Sequence, residues 1–235
     1  MEQQFAPVWL FHPEERYFPI SIPEYAAQCR IEPGGRPGTE FALWVPTVTP
    51  EEQRQFTLVP NDGPRAQIMY AGLNPQAPVY VHSFRTSPQD VYMTYFLFYA
   101  VNPAARTVCG CSSGYGFHYA DLEHVTVHVH AGQLHRVYYS KHSGGNWVLS
   151  DGGRPLVYVA LGSHANYETP GFQWRFGGLL PDRTSAQGPV LAHQPLEMVQ
   201  GPLLFRGTYG DGAVSGFTTK SYWNVPDQDA PYRCS

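Results

Sequence analysis

One histidine and two carboxylates open an evident β-strand in the run Gly116-Phe117-His118-Tyr119-Ala120-Asp121-Leu122-Glu123-His124-Val125-Thr126-Val127-His128-Val129. Side chains of a strand alternate between faces, so Asp121 and Glu123 project the same way as Val125, Val127 and Val129, whose apolarity marks the core side. Two carboxylates are thus aimed inward. An unpaired buried carboxylate costs roughly several kcal/mol, so the pair calls for a metal, a cationic partner or several backbone donors. Two oxygen donors with one imidazole suit Mg or Ca better than Zn, whose structural sites are closed shells of Cys and His. The plainer alternative is that Asp121 and Glu123 cap loop amides or pair with Arg136 while His118 fills a corner.

Two further strands end in loops of small residues that carry a histidine. Tyr138-Tyr139-Ser140-Lys141 runs into His142-Ser143-Gly144-Gly145, and Pro155-Leu156-Val157-Tyr158-Val159-Ala160-Leu161 runs into Gly162-Ser163-His164-Ala165-Asn166-Tyr167. Function on a sandwich collects where loops meet, so both loops are expected at the end of the fold that holds His118. His142, Ser143 and His164 are therefore candidate ligand-binding residues. Tyr119 and Tyr167, with Trp147 and Trp174, offer rings for stacking.

The strands that must position these groups are read from period-two runs at Val8–Leu10, Phe41–Val45, Val79–Phe84, Val91–Tyr99, Glu123–His130, Leu134–Ser140 and Pro155–Leu161, with shorter ones near Val190 and Leu204. Both alternating sets of the Val91–Tyr99 run are apolar, which predicts a central strand. Helix is minor: Thr49-Pro50-Glu51-Glu52 is a capping box with Pro in the first turn, and a second short helix spans Pro23 to Cys29. The loops around Gly171, Gly178, Asp182 to Ser185 and Gly210 to Gly212 lack periodicity. With 23 Gly, 22 Pro, 16 Tyr, 13 Phe and 5 Trp in 235 residues, the expected fold is all-β, a single-domain β-sandwich over residues 1–235 with long loops and one or two short helices.

A net charge of −4, with charged residues at 14% and no Lys/Arg cluster, leaves no electrostatic footprint for nucleic acid. No apolar run approaches the roughly 20 residues of a membrane helix, and Met1 to Phe5 has no signal-peptide pattern, so a cytoplasmic or particle-associated chain is expected. Four cysteines permit up to two disulfides without making a disulfide scaffold, and Cys109-x-Cys111 lacks the second half of a zinc knuckle. Ten histidines also permit a zinc site in which His128 and His130 share one strand face with His135 opposite. That face, which carries His124 and Thr126 as well, is expected to be solvated.

Asp121-x-Glu123-His124-Val125, Ser140-x-His142-Ser143-Gly144-Gly145, Gly162-Ser163-His164-Ala165-x-Tyr167 and Pro170-Gly171 resemble, in order and spacing, the vacuolar protein sorting-associated protein sixty-two family. Further matches are Ala6-Pro7-Val8-Trp9-Leu10, His12-Pro13-Glu14-Glu15, Phe18-Pro19, Thr94-Tyr95-Phe96-Leu97-Phe98-Tyr99, Phe205-x-Gly207-x-Tyr209-Gly210 and Trp223. That family carries no settled activity. His118, Asp121 and Glu123 are also similar to the His-x-x-Asp-Trp-Glu core of the necrosis- and ethylene-inducing-peptide-like toxins, which implies a divalent-cation role for them. Leu122 stands where both families usually have Trp, and the toxins' upstream acid has no counterpart in residues 109–115.

Three readings follow. The first is a binding protein with a divalent cation at the strand entry and a glycan or membrane-surface ligand such as a lipid headgroup. The second is a metal-dependent hydrolase with His142 or His164 as general base. The third is a structural component of a larger particle. No G-x-S-x-G elbow, P-loop or G-x-G-x-x-G is present, which disfavours serine-nucleophile and nucleotide-fold chemistry.

Overall fold

The computed structural model describes residues 1–61, 72–103, 116–142, 144–174, 181–212, 214–217, 223 and 224. Its centre is a six-stranded sheet in the order Leu196–Met198, Val79–Arg85, Asp90–Asn102, His118–His130, Gln133–Lys141, Gly144–Leu149. All neighbours are antiparallel except Leu196–Met198, which pairs parallel with Val79–Arg85. The fold is all-β and of the sandwich class, with short helices only.

Both faces of the central sheet are covered. On one, Val79, Val81, Met93, Tyr95, Leu97, Tyr99 and Val125 pack against Phe5, Trp9, Phe11, Val157 and Leu191, most of them from a four-stranded sheet in which Val8–Leu10 lies between Leu156–Val159 and Val190–Leu191. On the other, Tyr80, Phe96, Phe98, Ala120 and Leu122 meet Tyr25, Leu58, Phe205, Tyr209 and Phe217, contributed by a five-stranded sheet and its helices. The long Asp90–Asn102 strand is buried from Val91 to Val101, as its doubly apolar pattern requires. A buried hydrogen bond ties the layers: the backbone N–H of Ile22 donates to the Tyr80 hydroxyl at 2.8 Å.

The Thr49 capping box forms as expected and starts the helix Pro50–Gln53. The helix expected from Pro23 to Cys29 runs Ile22–Ala27, because Ser21 and Glu24 make a capping box that starts it one residue earlier, and Cys29 already begins a strand. That thiol is buried and unbridged, and burial pushes its pKa up to about 12; Cys109, Cys111 and Cys234 lie outside the described residues.

Three expectations are corrected. Phe41–Val45 is not a strand but the helix Phe41–Trp44 leading into a 3-10 turn, Val45–Thr47. Phe41 and Val45 are 4% and 3% exposed while Leu43 is 81% exposed, a spacing of four that fits a helix face and not strand alternation. Near Leu204 stands a 3-10 turn, Gly201–Leu204, since Pro202 sets φ for a turn and lacks the N–H a ladder needs. The stretch around Gly171 and Asp182 is a two-stranded ribbon of Gly171–Gln173 with Asp182–Thr184.

Gly210 turns with φ +74, and a Cβ there would lie 2.0 Å from the Tyr119 carbonyl oxygen. Gly210→Ala therefore combines backbone strain with a clash against main chain, and is expected to cost about 2 kcal/mol or more. The midpoint of urea denaturation, read at unchanged slope, checks this.

Candidate functional site

Strand pairing sets Asp121 opposite Tyr99 and Glu123 opposite Leu97, so both carboxylates share the face of Val125, Val127 and Val129. Asp121 is buried and Glu123 half-buried. Just before them the alternation breaks, because Ala120 has φ +58. Ala120 and Leu122 belong to the opposite core, and Tyr119 packs against that core as well. The inversion separates Tyr119 from Asp121, and alternation beyond it returns His118 to the Asp121 side. His118 Nδ1–H donates to the Ala120 carbonyl at 2.6 Å, which orients the ring and leaves Nε2 outside that bond.

Asp121 is answered by a backbone amide, a side-chain amide and an imidazole. Its Oδ1 accepts from the Leu122 N–H at 3.0 Å, and Oδ2 accepts from Asn102 Nδ2 at 3.2 Å and His164 Nδ1 at 3.0 Å. The His164 ring lies flat on Tyr99, 3.8 Å between centroids and 2° from parallel. Its side chain is 0% exposed, and its Nε2 has no hydrogen-bond partner. The Tyr99 hydroxyl is buried and likewise unpartnered; burial first, then the charges of Asp121, Glu15 and Glu123, pushes its pKa well above the ordinary phenol value. Glu123 accepts from Ser140 Oγ at 2.8 Å, which itself accepts from Asn166 Nδ2 at 3.3 Å.

A second acidic centre adjoins the first. Asp182, also buried, accepts from His142 Nε2 at 2.6 Å, Tyr167 OH at 2.6 Å and Ser163 Oγ at 2.8 Å. Ser163 precedes His164, and its carbonyl accepts from Asn102 Nδ2 at 3.5 Å, so the two centres share a loop. Glu15 fastens that loop from the N-terminal segment: Oε2 accepts from the Gly162 N–H at 2.7 Å, while Oε1 accepts from the amides of Arg16 and Tyr17, both at 2.8 Å.

His142 and His164 thus gather at the Asp121 end, through Asp182 and Asp121. Ser143 lies outside the described residues. Tyr119 faces the other core, and Tyr167 is no free platform, since its hydroxyl is on Asp182 and Lys141 Nζ stands over its ring at 4.6 Å. Trp147 is on the opposite sheet face beneath Arg136, 4.4 Å from the guanidinium carbon; Arg136 is therefore not the partner of Asp121 or Glu123 among their hydrogen bonds described above. Trp174 is 65% exposed and stacks with Phe172, itself 58% exposed, at 5.8 Å. The Phe172 strand reaches the site because Gln173 pairs with Asp182.

Among the described residues, the trio whose ligand atoms gather within 4.8 Å is Asp90, His128 and His130. His118, Asp121 and Glu123 therefore do not converge on one coordination sphere in this conformation, because the carboxylates turn to His164 and Ser140. The face of His124, Thr126 and His128, expected to be solvated, is covered, and only His130 stays open. Sequence reasoning passed over Tyr99, Asn102, Ser140, Ser163 and Asp182 as site residues. Glu15, Tyr99, Ser140 and Ser163 stood in motifs noted above, whereas Asp182 opened one of the aperiodic loops, with no spacing to mark its role.

A family model described as vacuolar protein sorting-associated protein 62 matches residues 1–178. The chain belongs to that family. The matched span holds every residue of the Asp121 centre, and Asp182 lies just past its end. Two solved structures are similar to the chain, each at 15% identity. One is "NLPPya in complex with mannosamine", with 85% of this chain and 72% of that chain covered and a TM-score of 0.43. The other is Necrosis and Ethylene inducing Protein 2 from the causal agent of cocoa's Witches Broom disease, with 86% and 74% covered and a TM-score of 0.39. No protein of curated function matches the chain. Among the described residues, no helix is long and apolar enough to cross a membrane.

Removing the Asp182 acceptor strands three donors, one of them, the Tyr167 hydroxyl, on a buried residue. Asp182→Ala is expected to cost about 2–4 kcal/mol, and Asp182→Asn less, since its amide oxygen still accepts. Urea denaturation of the two variants beside the parent checks the order.

Proposed function

We propose that this protein is a non-enzymatic binder in which Asp121, Glu123 and His118 hold a divalent cation, Mg or Ca rather than Zn, and in which the neighbouring loops take an oxygen-rich ligand, a glycan or a lipid headgroup. The observation that carries the reading is the disposition of two imidazoles. His118 and His164 each commit Nδ1, one to a backbone carbonyl and one to a carboxylate, which is how ligand histidines are oriented toward a metal. His164 Nε2 is wholly buried and has no hydrogen-bond partner.

The donor set fits such an ion. Asp121 and Glu123 are shielded carboxylates whose named partners are amides, a hydroxyl and an imidazole, and a cation would offset the cost of keeping them ionised there. Hard divalent ions prefer carboxylate oxygens, with water or ligand oxygens completing the shell. When bound, the cation would bridge the protein to ligand hydroxyl or phosphate oxygens. The exposed Phe172 and Trp174 pair supplies an apolar platform beside it, the arrangement by which aromatic rings receive sugar faces.

The hydrolase reading draws on a single pair, His142 held by Asp182, which gives a base and its orienter but no third role. A ligand acting through the folded state stabilises it by mass action. Melting temperature in Mg or Ca is therefore expected to rise for the parent protein and to stay at the chelator value for Asp121→Asn; equal rises in both would leave Asp121 without a cation role. Glycan-array and liposome binding, each with and without chelator, identifies the ligand class. Turnover on an ester, phosphodiester or glycoside panel that Asp121→Asn abolishes would favour the hydrolase.

A further inference from the structure

The far end of the same strand carries a second set of chemistry-bearing groups. His130 is nine residues from Asp121, roughly 30 Å along an extended strand, and nothing in the reading above uses it. We propose that Asp90, His128 and His130 form a binding site for zinc or another borderline first-row divalent ion, with His135 as a fourth ligand.

The three groups already converge. Asp90 Oδ1 accepts from His128 Nε2 at 2.7 Å and from His130 Nδ1 at 2.9 Å. Tetrahedral zinc with bonds of about 2.0–2.1 Å separates its donors by about 3.3 Å, so entry needs each pair to open by roughly half an ångström. His130, half exposed, can move that far. The His135 ring, on the facing strand of the hairpin, is 5.3 Å from that of His128 and 6.2 Å from that of His130. Two or three imidazoles with one carboxylate is a donor set suited to zinc, unlike the oxygen-rich Asp121 end.

Supports are built around the trio. Ser87 Oγ donates to Asp90 Oδ2 at 2.6 Å and accepts from the Asp90 amide at 3.1 Å, which aims Oδ1 at the rings. His128 lies flat on Tyr92 at 4.3 Å and 6°. Partners of this kind orient first ligands and tune their affinity. One group opposes the metal. Arg136 Nε donates to His128 Nδ1 at 3.2 Å, which keeps the ring proton on Nε2. Zinc at Nε2 requires that proton to move to Nδ1 and Arg136 to release the ring, while its stacking on Trp147 can persist. The ion would pin together the start of Asp90–Asn102, the end of His118–His130 and the start of Gln133–Lys141.

The test is calorimetric titration of the full chain, stripped of metal, with zinc chloride, repeated on variants with folding verified by circular dichroism. Cobalt substitution reads tetrahedral geometry from its visible spectrum. His130→Ala and Asp90→Asn are each expected to lower zinc affinity about tenfold or more and to remove the cobalt signature. Arg136→Gln is expected to raise affinity several-fold. The proposal is overturned if the parent binds no zinc, if His130→Ala and Asp90→Asn bind as the parent does, or if Asp121→Asn abolishes binding. The last result would assign the zinc to the other end of the strand.

Discussion

The structure at the Asp121 end is governed by one requirement, that a carboxylate buried at the rim of a doubly covered sheet be satisfied without water. Leaving it unpaired would cost several kcal/mol, roughly the whole margin by which a domain is stable. The chain meets the requirement from three separate segments. Asn102 comes from the end of the adjacent strand, His164 from the loop after Leu156–Val159, and Glu15 holds that loop in place through Gly162. The loop is braced internally too, with the His164 amide donating to the Ala160 carbonyl at 3.1 Å and the Ala160 amide to the Ala165 carbonyl at 2.9 Å. Because Asn102 and His164 come from different segments and Glu15 holds the second of these in place, satisfying Asp121 fixes the tertiary arrangement of the whole end.

Backbone strain gathers at the same place. Ala120, His142 and His164 all have φ between 54° and 58°, a region that costs residues with a Cβ about 1–2 kcal/mol each. Ala131, the other described non-glycine residue with positive φ, sits with Gly132 in the two-residue turn of the His118–His130 hairpin, where positive φ at both positions is the ordinary requirement. His142 opens the two-residue connection between Lys141 and Gly144 and meets the same requirement, whereas Ala120 and His164 have no such excuse of topology. Glycine would relieve them, but a glycine at 142 or 164 would remove the imidazole, and at 120 it would remove a methyl from the opposite core. Side-chain chemistry and packing outweigh the backbone cost at each position.

Much of the fold was legible because it is written in a period of two. The paired strands from Val79 to Lys141 and the capping box at Thr49 follow from local pattern, and so did the inward direction of Asp121 and Glu123. What failed was local as well: Phe41–Val45 reads as a strand until the exposure of Leu43 shows a spacing of four. The candidate site was legible as a list of residues and not as a set of pairings. Nothing in the spacing of His118, Asp121 and Glu123 announces the left-handed Ala120 that turns Tyr119 away, or the partnership of Asp121 with His164, 43 residues on. Likewise Asp182 becomes a centre only when His142, Ser163 and Tyr167 converge on it. Such contacts are set by how the sheets stack, which strand periodicity does not encode.

The accessibility of the two site histidines decides what each can meet. His164 shows no surface, so only something as small as a proton, a water molecule or a metal ion can reach its free Nε2. His142 has a side chain 26% exposed and a ring nitrogen fixed by Asp182, so it can touch a ligand whose remaining bulk stays outside. A catalytic base must reach the reacting atom of its substrate, and the histidine oriented by Asp121 is the one that a substrate of any size cannot approach. The division accords with the proposed binder, in which an ion-holding centre lies beneath a ligand-facing one.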